Sequence, residues 1–85
     1  MPGESIKAYD KAIEINMHDS PAWFMKGLAL NKLNRTDEAI KAYNKATEGN
    51  PQDPLAWYMK GRALDELGKF DEAIQAYNKA IENDP

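Results

Sequence analysis

The sequence predicts an all-α fold: one lone helix followed by two antiparallel helix pairs, five helices in all. Three observations predict it. The chain of 85 residues repeats itself at an offset of 34. Within each copy, apolar residues recur at three- and four-residue steps, the helical period, and nothing reads as a strand. Residues that start and stop helices stand between these runs.

The repeat is most visible in "AWFMKG" (from Ala22), which returns as "AWYMKG" (from Ala56) with only the residue after the Trp changed. Aligning residues 20–51 with 54–85 gives 19 identities in 32 positions. Unrelated stretches would share about two, so this is duplication rather than shared composition. The anchors are Trp23/Trp57, Gly27/Gly61, Leu30/Leu64, Leu33/Leu67, the runs from Asp37 and Asp71, the runs from Ala42 and Ala76, and Pro51/Pro85. Residues 5–14 match the second half of the unit. The chain therefore reads as a single domain, 1–85: a half repeat (4–19), a full repeat (20–53) and a second (54–85).

The half copy predicts a first helix over about 4–16. Ser20 is a good N-cap for the second helix, with Pro21 at the first helical position, where a missing N–H costs nothing. Asp53 and Pro54 do the same one register step earlier in their unit. These helices run to Leu33 and Leu67. Asn34 and Gly68 follow, and both residue types tolerate the left-handed turn that ends a helix. The partner helices span about 36–49 and 70–83, with Ala39, Ile40, Tyr43 and Ala46, then Ala73, Ile74, Tyr77, Ala80 and Ile81, at helical spacing. Asp37-Glu38 and Asp71-Glu72 fall in their first turns, where negative charge suits the helix dipole. Paired helices approach closely where one offers small side chains. Gly27, Ala39, Ala42 and Ala46 are small, and Trp23, Leu30, Leu33 and Tyr43 are large. Packing therefore accounts for both Trp residues without a ligand.

Composition excludes several functions. The formal net charge is −3, with 29 % charged residues of both signs interleaved. No basic block exists for phosphate contacts, so nucleic acid is not an expected partner. There is no cysteine, hence no disulfide and no thiolate site. No apolar run approaches the roughly 18 residues of a membrane span, and the polar N-terminus is unlike a secretory signal. A cytoplasmic protein with no membrane partner is expected. The abrupt start also fits a segment of a longer chain. The lone His18 beside Asp19 does not make a metal site. The acidic pairs sit at helix starts rather than in a catalytic pair. Ser5 and Ser20 are explained by helix positions, and no glycine loop cradles a phosphate. Neither an enzyme nor a cofactor is expected. Lys41, Lys45, Glu48, Lys79 and Glu82 read as a solvated face.

Trp, Gly four on, Leu three further, Ala twelve after the Gly, then an aromatic, Ala and Pro, in a 34-residue period, resembles the tetratricopeptide repeat over nearly the whole chain. The resemblance implies helix pairs (A then B) stacked into a right-handed α-solenoid, and binding of other proteins rather than catalysis. Here the first helix is a lone B helix. Thr36, Asn34, Met17, Lys26 and Lys60 depart from the family's usual residues, and a looser A–B turn is expected in the first full unit.

Packing positions must match between units, whereas a recognition surface need not. Phe24/Tyr58, Leu28/Arg62, Asn31/Asp65 and Lys32/Glu66 differ, with Pro21/Leu55 before them, and their spacing makes one helical stripe. In the resembled family this stripe lines the concave groove. Phe24, Leu28, Asn31, Lys32, Leu55, Tyr58, Arg62, Asp65 and Glu66 are therefore the candidate partner-binding residues. A subclass of the family clamps a C-terminal carboxylate with Lys and Asn at these places. Phe24, Met25, Leu28, Tyr58 and Met59 stand there instead, with Arg62 the one cation, so an apolar or aromatic peptide is expected. The two end helices are candidate self-association surfaces, through Ile6, Tyr9 and Ile13 at one end and Ile74, Tyr77 and Ile81 at the other. A homodimer, domain-swapped or stacked, is the alternative role. About two and a half units is also near the three-repeat minimum for stability.

Overall fold

The computed structural model describes residues 2–84. Its helices are α1 (Pro2–Ile15), α2 (Ser20–Lys32), α3 (Thr36–Gly49), α4 (Pro54–Glu66) and α5 (Phe70–Glu82), and the described residues contain no strand. Each helix packs chiefly on its neighbour in the chain, most extensively within the pairs α2–α3 and α4–α5. No helix is long and apolar enough to cross a membrane.

The caps correct one expectation. Asp19, not Ser20, is the N-cap of α2; its carboxylate accepts from the Ala22 N–H at 3.1 Å. Asp53 caps α4 and accepts from the Leu55 N–H at 3.0 Å. Asp19 and Asp53 are equivalent positions, so the two units start in the same register. Ser20 opens α2 and packs instead on the end of α3, where a Cβ on Gly49 would meet its hydroxyl.

The A–B turns are also alike, which overturns the looser first turn. Asn34 (φ 61°) and Gly68 (φ 77°) are both left-handed. The Arg35 N–H donates to Leu30 O at 3.0 Å, and the Lys69 N–H to Leu64 O at 2.9 Å, the same closing bond in both units. Asn adopts this region more readily than other residues with a Cβ, so it substitutes for Gly here.

Within each pair the closest approach is made by glycine. A Cβ on Gly27 would stand 2.5 Å from Tyr43 Cε1, and one on Gly61 2.6 Å from Tyr77 Cε1. The ring over each glycine is thus the tyrosine of the facing helix rather than the neighbouring Trp. The Trp residues fasten the preceding loop. The Trp23 indole donates to Met17 O at 2.9 Å and the Trp57 indole to Pro51 O at 2.7 Å. Because the acceptor is a main-chain carbonyl, Met17 serves as well as Pro51.

The first core joins Leu30, Ala39, Ala42, Tyr43 and Ala63, with Ile6, Trp23, Phe24, Leu28, Ile40 and Met59 packed around it. The second joins Leu64, Ala73 and Ala76, with Ile40, Trp57 and Tyr77. Ile40 belongs to both and links the units. Tyr43 is wholly buried because α4 closes over it, whereas Tyr77 is only partly buried.

This difference makes the two glycines unequal. An added methyl in an unyielding site costs about 1–3 kcal/mol, while Gly to Ala inside a helix gains nearly 1 kcal/mol. Gly27→Ala is expected to destabilise by about 2 kcal/mol, because Tyr43 has nowhere to go. Gly61→Ala should fall within about 1 kcal/mol of neutral, because Tyr77 can shift toward solvent. Urea unfolding of the two variants checks the order.

Burial pushes the Tyr43 phenol up to about 12, with Glu66 adding to the shift. The Tyr43 hydroxyl is buried with no hydrogen-bond partner in the protein. An unfolded tyrosine ionises near 10, so from there to about 12 the folded chain keeps a proton that the unfolded chain has lost. Stability is therefore full below about pH 10 and falls as pH rises through this window. Tyr43→Phe should keep or slightly raise stability at about pH 8 and flatten the loss at about pH 11, measured by urea unfolding at each pH.

Candidate functional site

The variable stripe runs along α2 and α4, and its two halves sit differently. In the first unit Phe24 and Leu28 are partly buried against the core. The Phe24 ring lies 5.9 Å from that of Tyr43, tilted by 45°. Phe24 therefore helps close the ring over Gly27 rather than standing away from the core. Leu28 also lines a shallow hollow with Met25 and Lys32 of α2 and Ser5 and Tyr9 of α1. Asn31 is partly buried, with its Oδ1 lacking a protein partner, and Lys32 is exposed.

In the second unit every stripe residue is exposed. Leu55 is 53 % and Tyr58 46 % exposed, and Arg62, Asp65 and Glu66 are open as well. Tyr58 leans on Tyr77 at 5.7 Å, as Phe24 does on Tyr43. Two shallow hollows meet at Tyr58. One, of about 490 Å³, is formed by Tyr58, Arg62, Asp65, Glu66 and Tyr77. The other, of about 350 Å³, is formed by Pro54, Leu55, Tyr58, Ala80, Ile81 and Asp84. The structure thus gathers the second-unit stripe into a strip with an apolar end and a charged end. The Tyr77 phenol is pushed up, by burial first and then by Asp65. A strip of this kind can grip an extended or helical peptide through apolar contact and charge pairing. The described residues contain no cluster of three or more His, Cys, Asp or Glu side chains placed to hold a metal ion.

The end helices also differ. Ile6, Tyr9 and Ile13 are partly buried, because α2 covers their side of α1. Ile15 and Met17 are the exposed apolar residues at that end, at 89 % and 67 %. At the other end Ile74 and Ile81 are open, at 56 % and 71 %, and Tyr77 is partly buried. Their counterparts Ile40, Thr47 and Tyr43 are covered by α4. The helix A stripe alone does not include Ala80 and Asp84, nor Ile81, a candidate for self-association, which line the hollow beside Leu55 and Tyr58. The signal was available in Ile81, an isoleucine where the first unit buries Thr47.

A protein-family model described as "Tetratricopeptide repeat" matches residues 2–54 and again 24–85. No curated protein matches the sequence. Among solved structures, a crystal structure of MamA is similar at 32 % identity and a TM-score of 0.89. The match covers 92 % of this chain and 46 % of that one, so this chain spans just under half the length of MamA. The second TPR of Spaghetti (RPAP3), bound to the HSP90 peptide SRMEEVD, is similar in fold at 22 % identity and a TM-score of 0.93. That match covers 98 % of this chain and 77 % of the other. The type III secretion translocator chaperone SycD of Yersinia enterocolitica shares the fold at 18 % identity and a TM-score of 0.92, over 96 % of this chain and 62 % of SycD.

Proposed function

The chain belongs to the tetratricopeptide repeat family, and from that premise we propose that it is a protein-interaction module that binds a peptide or protein segment in the groove lined by its A helices. Repeats of this family bind other proteins rather than catalyse. The observation that carries the groove reading is the open strip around Tyr58, in which Leu55, Tyr58 and Ile81 expose apolar surface beside Arg62, Asp65 and Glu66. Clustered exposed apolar side chains with a charged rim are what a docking site needs. The occupant is a segment with an apolar or aromatic residue over Leu55 and Tyr58, an acidic group near Arg62, and a basic residue beyond it, near Asp65 and Glu66. The RPAP3 repeat, which shares this fold, is seen with a peptide bound.

Self-association is the second reading, and it rests on a different observation. Ile74 and Ile81 are exposed at positions where the first unit is covered by the next A helix. A second chain, or a further unit of a longer one, would cover them.

Leu55→Ala combined with Tyr58→Ala should abolish capture of a partner by the immobilised chain while leaving its helical circular dichroism unchanged. These two side chains are exposed and carry little of the core, unlike Phe24. Binding that persists in the double variant removes the groove assignment. Sedimentation across concentration separates the second reading: association weakened by Ile74→Glu with Ile81→Glu supports it, and a monomer at high concentration removes it.

A further inference from the structure

A cleft of about 680 Å³ lies between α3 and α5 over another face of α4. None of the stripe residues lines it. Ile40, Trp57, Leu64 and Ala76 give it apolar surface, and Lys60 reaches into it. Lys69 and Lys79 line it together with the carboxylates Glu72 and Glu82, so three cations stand against two anions.

The first unit contains the same corner in a completed form. Lys26, equivalent to Lys60, lies 5.5 Å over the Trp23 ring and pairs with Asp10 of α1 at 2.7 Å. Lys60 lies 5.1 Å over the Trp57 ring. The position matching Asp10 is Asn44, which has no charge to offer. The Asn44 Oδ1 is buried and has no partner in the protein. Among the described residues no carboxylate comes within 4.0 Å of the Lys60 ammonium. Burial holds that ammonium below its ordinary value, with Glu72 and Glu48 acting the other way. The neighbouring Lys79 and Lys45 are already opposite Glu82 and Glu48, at 3.7 and 4.0 Å. A partly buried cation over an aromatic face, with no carboxylate in contact, is a receptor for one.

We propose that this cleft is a second docking site, which takes an acidic side chain of a partner protein flanked by apolar residues. Its carboxylate sits on Lys60 as that of Asp10 sits on Lys26, and its apolar neighbours lie on Ile40, Leu64 and Ala76. The site is independent of the concave groove, so either can fail without the other.

The probe is the capped peptide acetyl-Leu-Asp-Leu-amide, titrated at low salt into the isotopically labelled full chain and followed by amide and indole chemical shifts. The Trp57 indole and the Lys60 and Ala76 amides should move and saturate in the millimolar range, while the Trp23 indole, whose lysine is already paired, stays in place. The same peptide with Asn for Asp should bind at least tenfold more weakly. Asn44→Asp, which gives Lys60 its own carboxylate, should weaken binding at least tenfold in a folded chain, and Lys60→Met should do the same. The proposal is overturned by equal movement of both indoles, by no saturable shift, by equal binding of the Asn peptide, or by parent-like binding in either variant.

Discussion

In both helix pairs a tyrosine ring of helix B lies over a glycine of helix A, nearer than any Cβ would allow. That contact fixes how closely the pair packs, and much else follows from it. With the tyrosine over Gly27 or Gly61, the residue three positions earlier on helix A, Phe24 or Tyr58, is brought against its edge. The small residues Ala39, Ala42 and Ala46 then face α2 closely enough to be buried almost completely. The same closeness lets two short turns with one left-handed residue each join the helices.

The contact within a pair also determines what is left for the next pair. α4 closes over Tyr43 and brings Met59 and Ala63 into the first core. Ile40 then faces both cores and couples the units. In a linear stack of this kind each unit is stabilised by its neighbours. The exposure of Ile74 and Ile81 is thus a consequence of stacking order rather than of composition. The same order separates the two halves of the stripe. Phe24 and Leu28 sit inside the stack, and Leu55, Tyr58 and Arg62 sit at its open side.

The family and the helix pairs are legible because the duplication repeats most packing positions, with Thr47/Ile81, Phe24/Tyr58 and Leu28/Arg62 the exceptions. Helix ends are legible to within two residues, since Asn34, Gly68 and Pro54 mark them chemically. The cap of α2 is ambiguous in the sequence because Ser20 and Asp19 are both good caps, and only the equivalence of Asp19 with Asp53 decides between them. The partner of Gly27 was not legible. Sequence spacing relates it to Trp23 on its own helix, but its contact with Tyr43 depends on how two helices face each other. The stripe was legible as a set of positions. Its division into a covered half and an open half was not, because burial by a neighbouring unit leaves no mark on the stripe itself. The missing counter-ion of Lys60 was present in the sequence as Asn44 against Asp10, but it acquires meaning only once Lys26 is seen to pair with Asp10.

The ring of Tyr43 and the bare Cα of Gly27 form one interaction. A double-mutant cycle in urea unfolding, with Gly27→Ala, Tyr43→Leu and the combination, measures that directly. Strong coupling is expected: once the ring is gone the added methyl costs nothing, and the double variant is no less stable than Tyr43→Leu alone. Additive costs in the double variant would contradict it, because the glycine would then be required for some reason other than the tyrosine.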